Sequence, residues 1–232
     1  MRAKAIASAA VIALAAAAGA ASAETWTDPN GRLTFDKPAG WSISTENMPG
    51  VTYIVAGTAD NECHIIAIPR DQLATAAAND VRRAGADDAQ NGAEVWTQRG
   101  NAIPSIFPNN SANVLSRSSE APGFWTIQRA EIQGPERLVH AAQSIRPGFE
   151  FQTYCQTYEG ADPTAVYDSV IRSVAHPNDA TWQAQAEQQQ AEREAAGAQQ
   201  AEQGEAPAEE EQPRRQRRQR GLTTGAQGNA PM

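Results

Sequence analysis

Two cysteines, Cys63 and Cys155, are the side chains of this 232-residue chain whose type most directly invites chemistry. A thiolate can act as a nucleophile or bind a metal, and two thiols can form a disulfide bond. In the stretch FQTYCQTYEG, strand alternation turns Cys155 to the same side as Phe149 and Phe151. No base or helix N-terminus is evident beside either cysteine, which disfavours catalysis. The pattern favours a disulfide, and a pair of buried free thiols is the alternative.

Three histidines, His64, His140 and His176, are the other candidates for metal binding or acid–base catalysis. A tetrahedral zinc site needs three or four ligands within reach, usually with paired spacing such as CxxC or HxxxH. No such pair exists, and the adjacent Cys63 and His64 point to opposite faces if they lie in a strand. The sequence therefore predicts no metal site and no cofactor, and it favours His140 as a strand residue over a general base.

From residue 24 onwards the sequence contains neither of two hydrolase motifs, GxSxG and SxxK. The acids at Asp87, Asp88 and 209–211 fall in loop-like or low-complexity segments, where we expect solvated charges. No glycine-rich loop that could bind phosphate is present. The sequence therefore assigns no catalytic residue, although a hydrolase with dispersed catalytic residues remains an alternative.

The N-terminus resembles an export signal. Arg2 and Lys4 precede an uncharged, Ala-rich run that closes on AlaSerAla at residues 21–23, the small-x-small pattern of a signal-peptidase site. The run is shorter and less apolar than the ~20 residues of a membrane span. We therefore predict a cleaved signal peptide over residues 1–23, a mature chain without a transmembrane segment, and a periplasmic or secreted bacterial protein. Such an oxidising compartment favours the disulfide, which would close a loop of about 90 residues.

Charge and composition divide the rest of the chain. The formal net charge of −8 argues against nucleic acid as a partner. Residues 177–232 are rich in Ala, Gln, Glu, Gly, Pro and Arg and nearly free of large aliphatic side chains, so we predict a disordered or transiently helical tail, with a solvated helix over residues 181–203. Five tail arginines could bind an anionic envelope surface, with a partnerless solubilising tail as the alternative: Arg214, Arg215, Arg217, Arg218 and Arg220.

Residues 24–176 are predicted to form a single domain with an antiparallel sheet. Alternating or apolar runs predict strands over residues 51–57, 62–69, 112–118, 124–132, 137–145 and 149–158, most of them separated by short turn sequences. Helices are predicted over residues 71–84 and, with Asp162 as N-cap and Pro163 next, over the closing segment to Val174. We predict an α+β fold with helices packed on one side of an antiparallel sheet.

Two short segments resemble a known family. Pro38-Ala39-Gly40-Trp41 near the start and Asp168 to Ser173 near the end resemble the PsbP-like fold, which includes bacterial envelope proteins of DcrB type, over about residues 30–176. The resemblance implies a non-enzymatic scaffold used in binding or assembly. The two cysteines are not part of that family pattern, and no motif matches the family's contact residues.

The sequence therefore favours an exported, non-enzymatic binding or assembly-support module of the bacterial cell envelope. Its partner would be an unidentified envelope protein or an anionic envelope surface. Two alternatives stay open: a periplasmic hydrolase, and a structural envelope protein tethered by its basic tail.

Overall fold

The alternation of apolar and polar residues is realised as nine strands in the part of the chain that the computed structural model describes, residues 23–46 and 48–204. The strands are β1 Glu24–Thr27, β2 Thr34–Lys37, β3 Ser42–Glu46, β4 Thr52–Gly57, β5 Asn61–Pro69, β6 Asn113–Glu120, β7 Ile127–Gln133, β8 Leu138–Arg146 and β9 Phe149–Thr157. The helices are α1 Ala78–Gly85, α2 Ala93–Asn101, α3 Thr164–Ser173 and α4 Asp179–Gly204.

Seven strands form one antiparallel sheet in the order β3-β4-β5-β9-β8-β7-β6. One half of the sheet is β3 with the β4–β5 hairpin, the other is the four-strand meander from β6 to β9, and the two halves join where β5 pairs with β9. The first two strands form a separate ribbon in which Trp26 faces Phe35. Gly40, in the turn between β2 and β3, has a φ of +80°, a conformation that favours glycine.

Both faces of the sheet are covered. On the first, which we call the ribbon face, Ile65, Phe151 and Cys155 pack against the β1–β2 ribbon and against Tyr167 and Val170 of α3. On the second, the cavity face, the strand residues Tyr53, Ile66 and Tyr154 pack against Trp96 of α2 and Phe107 of the loop that follows it.

The predicted α+β class and antiparallel sheet are confirmed, but the helices lie on both sides and not on one. The reason is that the central strands bury residues of both parities, as in β9, where Glu150 to Gln156 are all buried. The α1 helix also starts later than predicted: Asp71–Leu73 forms only a 3-10 turn and Ala77 is extended.

The helix predicted in the tail is present as α4. Its first turns carry Trp182, which lies edge-on to Trp125, and the buried Ala186. The sequence pattern does not predict these contacts, because two residues four apart make no apolar stripe. The chain divides into two compact units, Met1–Gln190 and Ala191–Met232, and every side-chain contact described below lies within the first.

Candidate binding site

A cavity of about 770 Å³ lies between the cavity face of the sheet and the segment that carries α1 and α2. Its size is within the range of small-molecule sites, roughly 300–1,000 Å³. Strands β4, β5, β8 and β9 supply the floor, and the α1–α2 segment supplies the wall. Most of the lining is apolar, chiefly Val51, Ile66, Ile68, Leu73, Ile103 and Ile145.

Two arginines and one carboxylate form the charged part of the lining. Glu150, buried in β9, accepts hydrogen bonds on Oε2 from Arg70 Nε at 2.8 Å and from Arg70 Nη2. Arg99 of α2 places its Nε 3.5 Å from the other carboxylate oxygen, with its guanidinium over the Trp96 ring. Burial lowers the pKa of Arg99, and the Glu150 charge partly offsets this. Since arginine stays protonated in proteins, the cluster carries one net positive charge.

A row of three buried glutamines crosses neighbouring strands of the floor. Gln152 of β9 lies opposite Gln143 of β8, which lies opposite Gln128 of β7. Gln152 is paired at both ends of its amide: the nitrogen donates to Glu150 at 2.7 Å, and the oxygen accepts from the Tyr154 hydroxyl at 3.0 Å. Gln128 donates to the backbone carbonyl of Gly85, the last residue of α1, and to that of Asp87. Gln143 lines the cavity, and its side chain forms no hydrogen bond with any residue that the structure describes.

A second polar chain leads from the cavity lining into the sheet. The Tyr53 hydroxyl, at the cavity, lies 2.7 Å from His64 Nδ1, and His64 Nε2 lies 2.7 Å from Glu62 Oε1. Glu62 also accepts from Gln156 at 3.0 Å and from Tyr158. Burial alone would raise the pKa of Glu62, but these hydrogen bonds outweigh it and lower the pKa to about 2.

This hydrogen-bonded series of Tyr53, His64 and Glu62 resembles a catalytic relay in the order of its groups but lacks an activated nucleophile. An ionised Glu62 can only accept, so His64 donates from Nε2, and in the neutral imidazole Nδ1 accepts from Tyr53. Burial raises the pKa of Tyr53, so the phenol keeps its proton at neutral pH. Ser105, the only serine among the described lining residues, has the Tyr53 hydroxyl and not a histidine as its side-chain partner. The arrangement can hold and orient a ligand; it does not supply a base-activated attack.

The predicted cysteine pair lies on the other face. Cys63 and Cys155 are directly opposite each other on β5 and β9, and their sulfur atoms are at disulfide-bonding distance. Both are fully buried in the ribbon-face core. The neighbouring His64 points to the cavity face, as strand alternation predicts. Within the described residues no group of three or more His, Cys, Asp or Glu side chains could hold a metal ion.

The other predicted residues have structural partners or lie outside the described part. His140 Nε2 lies 2.6 Å from Asp162 Oδ2, so Asp162 pairs with β8 and does not cap α3. The N-cap residue of α3 is Pro163, and the helix has no side-chain cap. Asp87 accepts from the backbone of Ala89 at 2.9 Å. The signal-peptide prediction and the five arginines from Arg214 to Arg220 fall outside the described residues. In that described part, no helix has the length and apolarity to cross a bilayer.

The cavity-lining residues Arg70, Arg99, Gln143, Glu150 and Gln152 are absent from the sequence-based candidates. A signal existed in β9, where Glu150, Gln152 and Gln156 share one face with Tyr154. If only one face of the sheet is covered, as the sequence predicts, this polar face is expected to point to solvent. Only the second layer, formed by α1 and α2, turns these side chains into the floor of a cavity.

Comparisons with known proteins concern the fold alone. No protein-family model and no curated protein matches the chain. It is similar to the solution structure of cyanobacterial PsbP from Synechocystis sp. PCC 6803, at 18% identity and a TM-score of 0.46, over 69% of this chain and 95% of that one. A crystal structure from Bacteroides thetaiotaomicron matches at 12% identity and a TM-score of 0.37, over 68% and 50%. The predicted PsbP-like resemblance is thus supported as a weak fold match.

Proposed function

We propose that the protein is an exported, non-enzymatic binding module of the bacterial cell envelope, and that the cavity between the sheet and the α1–α2 segment is its ligand site. The observation that carries the proposal is the cavity itself: a half-open, mostly apolar cavity of about 770 Å³ into which a few charged and amide groups converge. That combination is the usual form of a small-molecule site.

One further observation supports this reading over a hydrolase, and two others support the proposed compartment. The side chains of Tyr53, His64 and Glu62 hold one another in fixed hydrogen bonds, and the Tyr53 phenol keeps its proton. The Cys63–Cys155 pair fits an oxidising, extracytoplasmic compartment, where a disulfide persists. The predicted signal peptide points to the same address.

The test is dye binding to a protein whose cavity mouth is blocked. Ala84 and Ala102 line the cavity and are exposed, so the double variant Ala84→Trp/Ala102→Trp places bulk at the rim without opening the core. The neutral apolar dye N-phenyl-1-naphthylamine should fluoresce with the wild-type chain, and the variant should lose most of that signal. Ala89→Trp is the matched control, since Ala89 is exposed and lies outside the cavity.

Two results would contradict the proposal. One is dye binding that the blocked variant retains in full while the protein is folded. The other is turnover of an ester, peptide or phosphoester substrate that Tyr53→Phe or His64→Gln abolishes, because that would make the relay catalytic.

A further inference from the structure

The unpaired amide of Gln143 is the most informative group in the cavity. Its residue is only 3% exposed, it lines the cavity, and within the described part of the chain its side chain has no hydrogen-bond partner. The amide is not sealed inside the core, because its atoms remain accessible from the cavity, where they are available to pair with a bound molecule. A polar group of a bound molecule would satisfy it.

The net charge around Gln143 indicates whether the polar group of the ligand is an anion or a cation. Arg70 and Arg99 face a single carboxylate, Glu150, whose two oxygens are already occupied by Gln152 and Arg70. Arg70 engages Glu150 through Nε and Nη2, and its Nη1 forms no hydrogen bond among the described residues. The site therefore has spare donors and one excess positive charge, and its one carboxylate has no free oxygen for a cation.

The rest of the cavity lining indicates the chemical character of the remainder of the ligand. Apart from this charged and amide end, the lining is aliphatic, with Ile66, Ile68, Leu73 and Ile103 on both the sheet and the wall. Such a surface favours a hydrocarbon or aromatic body, because burying apolar area is favourable and non-directional.

We propose that the cavity binds an amphiphilic monocarboxylate, whose carboxylate accepts hydrogen bonds from Arg70 and Gln143 and whose apolar body lies against the aliphatic lining. The inference rests on the proposed function and names the ligand class of the same site. One carboxylate balances the excess charge of the Arg70–Glu150–Arg99 cluster. A dianion would leave an uncompensated charge in a partly buried site, which is unfavourable.

The test compares three probes of equal chain length with the purified full chain by isothermal titration calorimetry. Decanoate carries the carboxylate, 1-decanol is neutral, and decyltrimethylammonium is cationic. The two ions are used below their micelle-forming concentrations and 1-decanol below its solubility limit. Decanoate should bind at least about tenfold more tightly than 1-decanol, as expected for hydrogen bonds to a charged group. The cation should bind more weakly than the alcohol.

Variants locate the carboxylate. Gln143→Leu and Arg70→Gln should each weaken decanoate about tenfold and leave 1-decanol binding unchanged or stronger. Arg83→Gln is the control for lost charge, because Arg83 is exposed on α1 and outside the cavity lining. Gln143→Leu keeps the test decisive even if Arg70→Gln does not fold, since it replaces an unpaired amide by an apolar side chain.

The outcomes separate the inference from the proposed function. Equal binding of decanoate and 1-decanol, or an equal loss of both in Gln143→Leu, overturns the monocarboxylate inference but leaves a binding cavity. Binding of the neutral dye without any binding of decanoate has the same consequence. Failure of the dye and of all three probes overturns both.

Discussion

Glu62 shows how a single side chain can be tied into the sheet. It lies at the start of β5, where three donors converge on one of its oxygens: His64 Nε2, Gln156 Nε2 and the Tyr158 hydroxyl. Tyr158 in turn lies under the Arg137 guanidinium, 4.4 Å from ring centroid to Cζ. The carboxylate thereby links β5 to β9 at the end of the sheet that is remote from Glu150.

We predict that Glu62→Gln destabilises the protein at neutral pH and reduces its acid sensitivity. At neutral pH the loss of charge-assisted hydrogen bonds should cost about 1–3 kcal/mol. The pKa of Glu62 is lowered from 4.5 to about 2, so between these values the unfolded chain binds a proton that the folded protein does not. The free energy of unfolding of the wild type should therefore fall as the pH drops through this window.

Urea unfolding between pH 2 and pH 7 measures this effect. The Glu62→Gln variant should show a smaller loss of stability below pH 4.5 than the wild type. Glu159→Gln is the matched control, because Glu159 is exposed and nearby. Identical pH profiles for the wild type and Glu62→Gln would contradict the prediction.

At the scale of elements, the start of α4 depends on His176. Its ring lies between Phe149 and Trp182, with centroid distances of 5.0 and 4.5 Å. Its Nδ1 accepts a hydrogen bond from the backbone N–H of Asn178 at 3.0 Å, just before the helix begins. Next to it, the buried Arg146 of β8 donates to both carboxylate oxygens of Asp179.

We predict that acid loosens this helix start. Burial, and secondly the charge of Arg146, lower the pKa of His176 from 6.5 to about 4. Between these values the unfolded state binds the proton and the folded state does not, so stability should fall as the pH drops from about 6.5 to about 4. A proton on Nδ1 would also remove the acceptor for Asn178.

The variant His176→Asn tests this, because its side-chain oxygen can still accept from Asn178 but does not titrate. Thermal unfolding midpoints should fall less steeply for the variant than for the wild type between pH 6.5 and pH 4, with equal slopes above pH 7. A histidine NMR titration should also give His176 a pKa of about 4 in the wild type. An ordinary histidine pKa at this position would contradict the prediction.

Most elements of the sheet are predictable from the sequence, but the cavity is not. Alternation and Gly/Pro turns identify β4, β5 and the meander from β6 to β9, because those signals are local. The pairing of β5 with β9 joins residues about 90 positions apart, and only the cysteine pair hints at it. The site depends on Arg70 and Arg99, whose approach to Glu150 follows from how the α1–α2 segment folds back over the sheet. No local pattern encodes that placement.

For the whole molecule, the cysteine pair joins the two halves of the sheet at its centre. Cys63 and Cys155 are 92 positions apart, so a bond between them constrains a long loop of the unfolded chain. The chain-entropy argument gives about 4–5 kcal/mol for such a loop, often less in practice. We predict that Cys63→Ala/Cys155→Ala still folds, through the intact β5–β9 pairing, but unfolds at a clearly lower urea concentration.

Reduced wild-type protein is the natural control and should unfold close to the double variant. Thiol titration in denaturant, on protein taken from an oxidising compartment, should find no free thiol. Equal unfolding midpoints for oxidised and reduced wild type, or two free thiols per chain, would contradict the disulfide.

The role of the basic tail can be tested by truncation, but the structure moves the position at which the chain should be cut. Composition places the domain end at residue 176, but a chain cut there would lose Asp179, the partner of Arg146, and Trp182, which contacts Trp125. A cut after Gly204 spares both and removes the five arginines from Arg214 to Arg220. If these arginines hold the protein to an anionic surface, the full chain should sediment with phosphatidylglycerol vesicles at low salt and be released at high salt.

The chain truncated after Gly204 should stay in the supernatant under both conditions. A full-length variant with all five arginines replaced by glutamine controls for tail length, and it should behave like the truncated chain. If the truncated chain sediments as well as the full chain does, the tail is not the anchor. Both changes leave every cavity-lining residue in place, so both proteins should bind decanoate as the wild type does. The same set of variants therefore separates surface attachment from ligand binding.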